Sequence, residues 1–301
     1  MKILFVSPLG KDQSDDQHRY EILCHAIHQD CRHTARVVFI DQVEIALDSK
    51  DLYTCEENVV ILHTCIMESN YKMIQKWKVN GKMVIADLCQ PAWFEEMQMP
   101  DWSGRVENGC THGSFNHPYP HSQGQSLRWG IQQADGILCN SRKMVEDWNE
   151  RTGVFYLPDF INLDEYLIHG YDPHPGVVIG IKLVRDGYEK LIETGLFSAI
   201  EEVGKVHKDV KFLFYGDMIN VHRRIDLKTE QKIYIPARDI RDWQKVLSSF
   251  DLGLIPLSGP LDDRLGWRDT LEYMAMKIPW VGSNSVALSD LREYGWMVQN
   301  H

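Results

Sequence analysis

Short apolar runs separated by longer stretches of helical periodicity recur along the whole chain. In the first half the runs are Ile3–Val6, Val37–Ile40, Val59–Leu62, Met83–Ala86, Gly136–Leu138 and Val154–Leu157. Helical spacing of apolar positions fills the gaps at Arg19–Ile27, Met67–Lys78, Ser126–Ala134 and Lys143–Arg151. Runs of this kind, without polar alternation, predict strands buried on both faces. Strand and helix in alternation predict an open parallel sheet covered by helices on both sides. Residues 90–125 break the rhythm with Pro, Gly, His and Trp, and read as a long functional or mobile excursion.

A second interruption falls between Pro158 and Gly176, which holds Pro158, Pro173 and Pro175 without sustained periodicity. The rhythm then restarts with strand Val177–Ile181, helix Tyr188–His207, strands Val210–Tyr215 and Lys232–Ile235, and helix Arg238–Phe250. The expected organisation is a Rossmann-like domain over 1–157, a linker over 158–176 and a second Rossmann-like domain over 177–301. Two such domains would face each other across a cleft, with ligands beyond the carboxyl ends of the strands.

The densest chemistry lies in Asp251–Ser283, DLGLIPLSGPLDDRLGWRDTLEYMAMKIPWVGS. Two apolar runs flank a polar loop and an amphipathic helix from about Arg268 to Lys277, which predicts a parallel strand–helix–strand unit. The loop is basic at Arg264 and Arg268 and feeds a helix N-terminus, where free N–H groups and the helix dipole favour a phosphate. Glu272, early in that helix, is placed to hold a pair of sugar hydroxyls. The same basic residues have a plainer alternative as partners of Asp262, Asp263, Asp269 and Asp186. In the first half, Asp87 and His63 end two successive strands, where a base for an acceptor hydroxyl would sit. An ordinary loop cap and a buried histidine are the plainer alternatives. Cys110, His112, His117 and His121 have a spacing open to zinc, to acceptor contacts or to a plain loop. Trp93, Phe94, Trp102 and Trp129 border the same excursion and suit either sugar stacking or core closure.

Composition narrows the class. The chain has 301 residues, enough for two domains, with 44% hydrophobic and 25% charged residues, as in a soluble globular protein. No apolar run approaches the roughly 20 residues of a membrane span, and MKILFVSPLG reads as a first strand rather than a signal peptide. The net charge of −11 argues against a broad nucleic-acid-coating surface. Seven cysteines without close pairing point to a reduced, cytoplasmic setting.

The order of several segments resembles the family 4 glycosyltransferases, which have the two-domain GT-B fold. ILCNSRKMVEDW (137–148), VFYLPDFINLDEY (154–166), GIKLVRDGYEKLI (180–192), FLFYGD (212–217), SSFDLGLIPL and TLEYMAMKIPWVGSN follow the family's motifs nearly end to end. The likeness implies sugar transfer from a nucleoside-diphosphate sugar (UDP- or GDP-linked) to a glycan or to a modified base in DNA. It further implies a metal-independent reaction, no permanently bound cofactor and retention of anomeric configuration. Residue by residue, Glu272 matches the ribose-holding glutamate and Lys182 a diphosphate ligand. Asp186 stands where the family has a phosphate-binding Lys, with Arg185 beside it, and Arg264 where it has an earlier Glu. The Gly-Gly loop after the first strand is absent. The donor-binding candidates are therefore Glu272, Lys182, Arg185, Arg264, Arg268 and Thr270; the catalytic candidates are Asp87, His63 and Arg268. The departures leave a degenerate GT-B protein, binding a nucleotide or partner without transfer, as the alternative, and a GT-B epimerase as a third. In the family, the segment matching DLREYGWMVQNH is followed by further helices.

Overall fold

The computed structural model describes residues 1–7, 15–40, 48–63, 68–88, 131, 133–150, 153–168, 170–183, 187–216, 219–236 and 240–299. The chain divides into two compact units, Met1–Pro158 and Asp159–His301. The first unit runs β1 (Lys2–Ser7), α1 (Asp15–Gln29), β2 (Thr34–Phe39), α2 (Lys50–Tyr53), β3 (Val59–His63), α3 (Glu68–Val79), β4 (Met83–Leu88), β5 (Gly136–Cys139), α4 (Arg142–Asp147) and β6 (Val154–Tyr156). Its six strands are parallel, in the order β2-β1-β3-β4-β5-β6. Alternate residues of each strand feed opposite cores. Leu4, Val6, Val60 and Leu62 pack with Trp77 and Ile137 on one face, while Ile3, Phe5, Val59 and Ile61 pack with Tyr20 on the other. Burial on both faces is why these strands read as unbroken apolar runs.

The second unit contains α5 (Leu163–Leu167), β7 (Val177–Leu183), α6 (Gly187–Glu193), α7 (Leu196–Val206), β8 (Val210–Gly216), α8 (Ile219–Arg224), β9 (Lys232–Ile235) and α9 (Ile240–Leu247). It continues with β10 (Leu252–Ile255), α10 (Gly259–Asp262), α11 (Arg268–Ala275), β11 (Trp280–Ser283) and β12 (Trp296–Val298). Its six strands are also parallel, in the order β12-β11-β10-β7-β8-β9. Two parallel sheets of this kind in sequence form an α/β architecture of two Rossmann-like halves.

Several elements differ from the expectation. The single helix Tyr188–His207 is two, broken at Gly195, whose φ of 71° lies in the left-handed region and caps α6 before α7 begins. The short helix α5 lies inside the stretch expected as a linker. Strand β12 and helices α2, α8 and α10 were not anticipated. Gly180 in β7 is required by packing: a Cβ there would meet the Phe250 ring at 1.8 Å. The helix at Ser126–Ala134 falls largely, and the excursion at 90–125 wholly, outside the described residues.

Candidate functional site

In an open parallel sheet the crevice forms where the strand order reverses. In the second unit the chain moves outward from β7 to β8 and β9, then returns to place β10 on the other side of β7. The switch point is therefore between β7 and β10, where Leu254 pairs with Ile181. Lys182, the penultimate residue of β7, lies there, and the chain leaving β10 leads through α10 into α11.

Four side chains converge on the Glu272 carboxylate, which is itself 0% exposed. Tyr166 of α5 donates its hydroxyl to Oε1 at 2.9 Å, and Trp243 of α9 donates its indole N–H to Oε2 at 2.6 Å. The Lys182 ammonium donates to Oε2 at 3.1 Å, and Arg268 Nε lies 3.5 Å from Oε1 one helical turn back. A desolvated carboxylate is costly unless its lone pairs are met by charged and neutral donors. Here Oε1 accepts from Tyr166 beside the Arg268 guanidinium, and Oε2 accepts from both Trp243 and Lys182. Lys182 also donates to Asp269 Oδ1 at 2.8 Å and lies 4.9 Å over the Trp243 ring, a cation–π contact. Burial, then the neighbouring Glu272 charge, pushes the Tyr166 hydroxyl pKa far up, so it remains a donor.

The two acids and two cations of this cluster are unequally accessible. The Lys182 side chain is 9% exposed and that of Arg268 20%, whereas that of Asp269 is 46% exposed. The cluster's open side is therefore the side of Asp269 and Arg268. Thr270, in the first turn of α11, is buried, and its Oγ1 has no hydrogen-bond partner among the described residues. Arg264 is also buried and donates to the Pro260 carbonyl at 2.6 Å. Asp262 accepts from Lys190 at 2.8 Å and from the Ser258 amide at 2.6 Å, and Asp263 accepts from Ser285 at 2.8 Å. Those acids tie the loop to α6 and to the turn after β11. Arg185 and Asp186 lie outside the described residues.

The first unit has a smaller cluster at the carboxyl ends of its own strands. Asp87, penultimate in β4, is fully buried; Tyr20 donates its hydroxyl to Oδ2 at 3.0 Å and Arg19 Nε lies 3.4 Å away. His63, beside Asp87 in the β3–β4 register, is buried edge-on to the Tyr20 ring at 6.2 Å. Burial, then the Asp87 charge, pushes the nearby Cys139 thiol up to about 12. Asp87 is thus the counter-ion of a buried arginine in this structure.

Sequence reasoning brought Glu272, Lys182 and Arg268 together but missed Tyr166 and Trp243 as their companions. Tyr166 sits in the stretch expected as a linker; Trp243 was simply one apolar position of a helix. Arg19 and Tyr20 of the first cluster were likewise absorbed into helical periodicity. Among the described residues no group of three or more His, Cys, Asp or Glu could hold a metal ion, and no helix is long and apolar enough to cross a membrane. Cys110, His112, His117, His121 and the tryptophans Trp93, Trp102 and Trp129, with Phe94, lie outside the described residues.

No protein-family model matches the chain, and no curated protein matches it in sequence. Solved structures do share its fold. Sucrose-phosphate synthase from Thermosynechococcus elongatus superposes with a TM-score of 0.65 at 11% identity, over 100% of this chain and 86% of that one. Anabaena HepE, in complex with UDP, gives 0.60 at 12% identity, over 99% and 86%. A putative UDP-N-acetylglucosamine 2-epimerase from Listeria monocytogenes gives 0.57 at 12% identity, over 100% and 84%. The architecture is the GT-B fold, and its structural neighbours include glycosyltransferases and a UDP-bound protein.

Proposed function

We propose that the chain transfers a sugar from a nucleoside-diphosphate sugar to an acceptor hydroxyl, with the donor held on the second unit. The observation behind this reading is the pair of cations, Lys182 and Arg268, fixed by buried Glu272 at the switch point of the sheet and at the start of α11. As the anomeric C–O bond breaks, its electron pair leaves with the diphosphate. A fixed ammonium and guanidinium beside that oxygen lower the barrier without reorganising. The acceptor oxygen forms the new bond, and its proton passes to the departing phosphate oxygen, the route that accords with retention. On this reading the two side chains supply the charge neutralisation, so transfer survives EDTA. The HepE–UDP complex on the same fold supports a uridine nucleotide as first choice. The net charge of −11 favours a glycan or small hydroxyl acceptor over DNA.

Within this proposal Glu272 organises the cations, since both its oxygens already accept from protein donors. Asp87 anchors Arg19, and the departing phosphate oxygen takes the acceptor proton. Calorimetry with UDP and GDP is the test: UDP is expected to bind the wild-type protein, and K182A to weaken it at least tenfold, about 1.4 kcal/mol. Absence of binding by any nucleoside diphosphate overturns the reading. The epimerase neighbour motivates a second reading on the same fold. Product analysis separates the two: transfer or slow hydrolysis releases free UDP, whereas epimerisation returns an isomeric nucleotide-sugar. Binding without either product marks a degenerate protein.

A further inference from the structure

We propose that Asp269 is a displaceable counter-ion that holds Lys182 closed and must yield it when a diphosphate binds. The inference deepens the donor-binding reading and rests on it. Two of the ion pairs of Lys182 are of opposite character. Glu272 is wholly buried and locked by Tyr166 and Trp243, so it cannot leave without abandoning those donors. Asp269 is 46% exposed, shorter, and makes its ion pair at 2.8 Å from the open side of the cluster. The Trp243 ring covers another face of the ammonium. Of the two acids paired with Lys182, Asp269 is the one on the solvent side.

The charges agree with this geometry. Among the described residues, Glu272 and Asp269 match Lys182 and Arg268 one for one, so these four side chains together offer a phosphate no net charge. Rotation of Asp269 into water leaves a net positive charge beside the first turn of α11, where the helix dipole adds to it. Asp269 thereby lowers affinity and excludes monoanions too weak to displace it, while a diphosphate replaces one carboxylate with several phosphate oxygens.

The test is calorimetric titration of UDP and of inorganic pyrophosphate into wild type, D269N, D226N, K182M and the K182M/D269N double variant. Asp226 is a far more exposed acid (81% side-chain exposure) paired with Lys205, so D226N removes the same charge without touching Lys182. D269N is expected to tighten both probes about fivefold, with the gain shrinking as salt rises. D226N should leave both within twofold, and D269N should change nothing in the K182M background. If wild type binds UDP and D269N binds it no tighter, the counter-ion proposal falls and the donor-binding reading survives. Tighter pyrophosphate with no UDP binding in any variant upholds the counter-ion and overturns the nucleotide reading. If no variant binds either probe, both are lost.

Discussion

In each unit a buried carboxylate near the carboxyl ends of the strands has both a tyrosine hydroxyl and a basic partner. In the first unit Asp87, Tyr20 and Arg19 are all buried. In the second, Glu272 is just as buried, but of its partners Arg268 is partly exposed and Lys182 also pairs with a half-exposed Asp269. The difference is one of surplus. Asp87, paired with the buried Arg19 of α1, fixes a helix onto a sheet. A carboxylate holding two cations, one with an exposed partner, keeps positive charge in reserve at the switch point. Burial of an ion pair is thus no sign of a functional site; the open end of the network is.

Removing each carboxylate is the harshest way to break this comparison. D87A removes the carboxylate beside buried Arg19 and E272A the one shared by Lys182 and Arg268, so each should lower stability in urea by about 3–5 kcal/mol. Only E272A should also abolish UDP binding in calorimetry. Loss of UDP binding in D87A, or its retention in E272A, would mean the two clusters have been assigned the wrong way round. E272Q gives a gentler version, keeping the shape while removing the charge that fixes Lys182.

The matched tyrosines sharpen the same contrast at smaller cost. Y166F and Y20F each delete one hydrogen bond to a buried carboxylate, worth about 1–3 kcal/mol in urea unfolding. Y166F should weaken UDP about threefold as well, because Glu272 then holds its cations less firmly. Y20F should leave UDP affinity unchanged.

How far these features were legible depended on whether local pattern or distant packing decided them. Strands such as VVILH at 59–63 are buried on both faces, so their composition alone announces them. Strand β12 is three residues long with Trp296 and Val298 exposed, and nothing in its pattern distinguishes it from a loop. Glu272 and Arg268 were legible because one helix places them four residues apart. Tyr166 was not, since it reaches Glu272 across 106 residues only once α5 docks on α11. Glu272 was expected to hold sugar hydroxyls; the protein donors that its carboxylate also meets are a property of tertiary packing that a motif cannot convey.

The smallest effect concerns a pair at the edge of the first unit, which tests whether exposure alone makes a pair weak. Arg36 donates two hydrogen bonds to Glu57 and, as the largest cause, holds its carboxyl at about 2, below the ordinary 4.5. A depressed folded-state value means the pair stabilises above about pH 4.5 and loses its contribution as pH falls toward about 2. Because half of Arg36 is exposed, solvent screening reduces the contribution to about 1 kcal/mol. E57Q should therefore cost about that much near neutral pH and nothing near pH 2, read as converging urea midpoints of variant and wild type. A cost that persists undiminished at low pH would show that Glu57 acts by packing rather than charge. That outcome would place it with the buried clusters, and exposure would no longer separate anchoring pairs from marginal ones in this molecule.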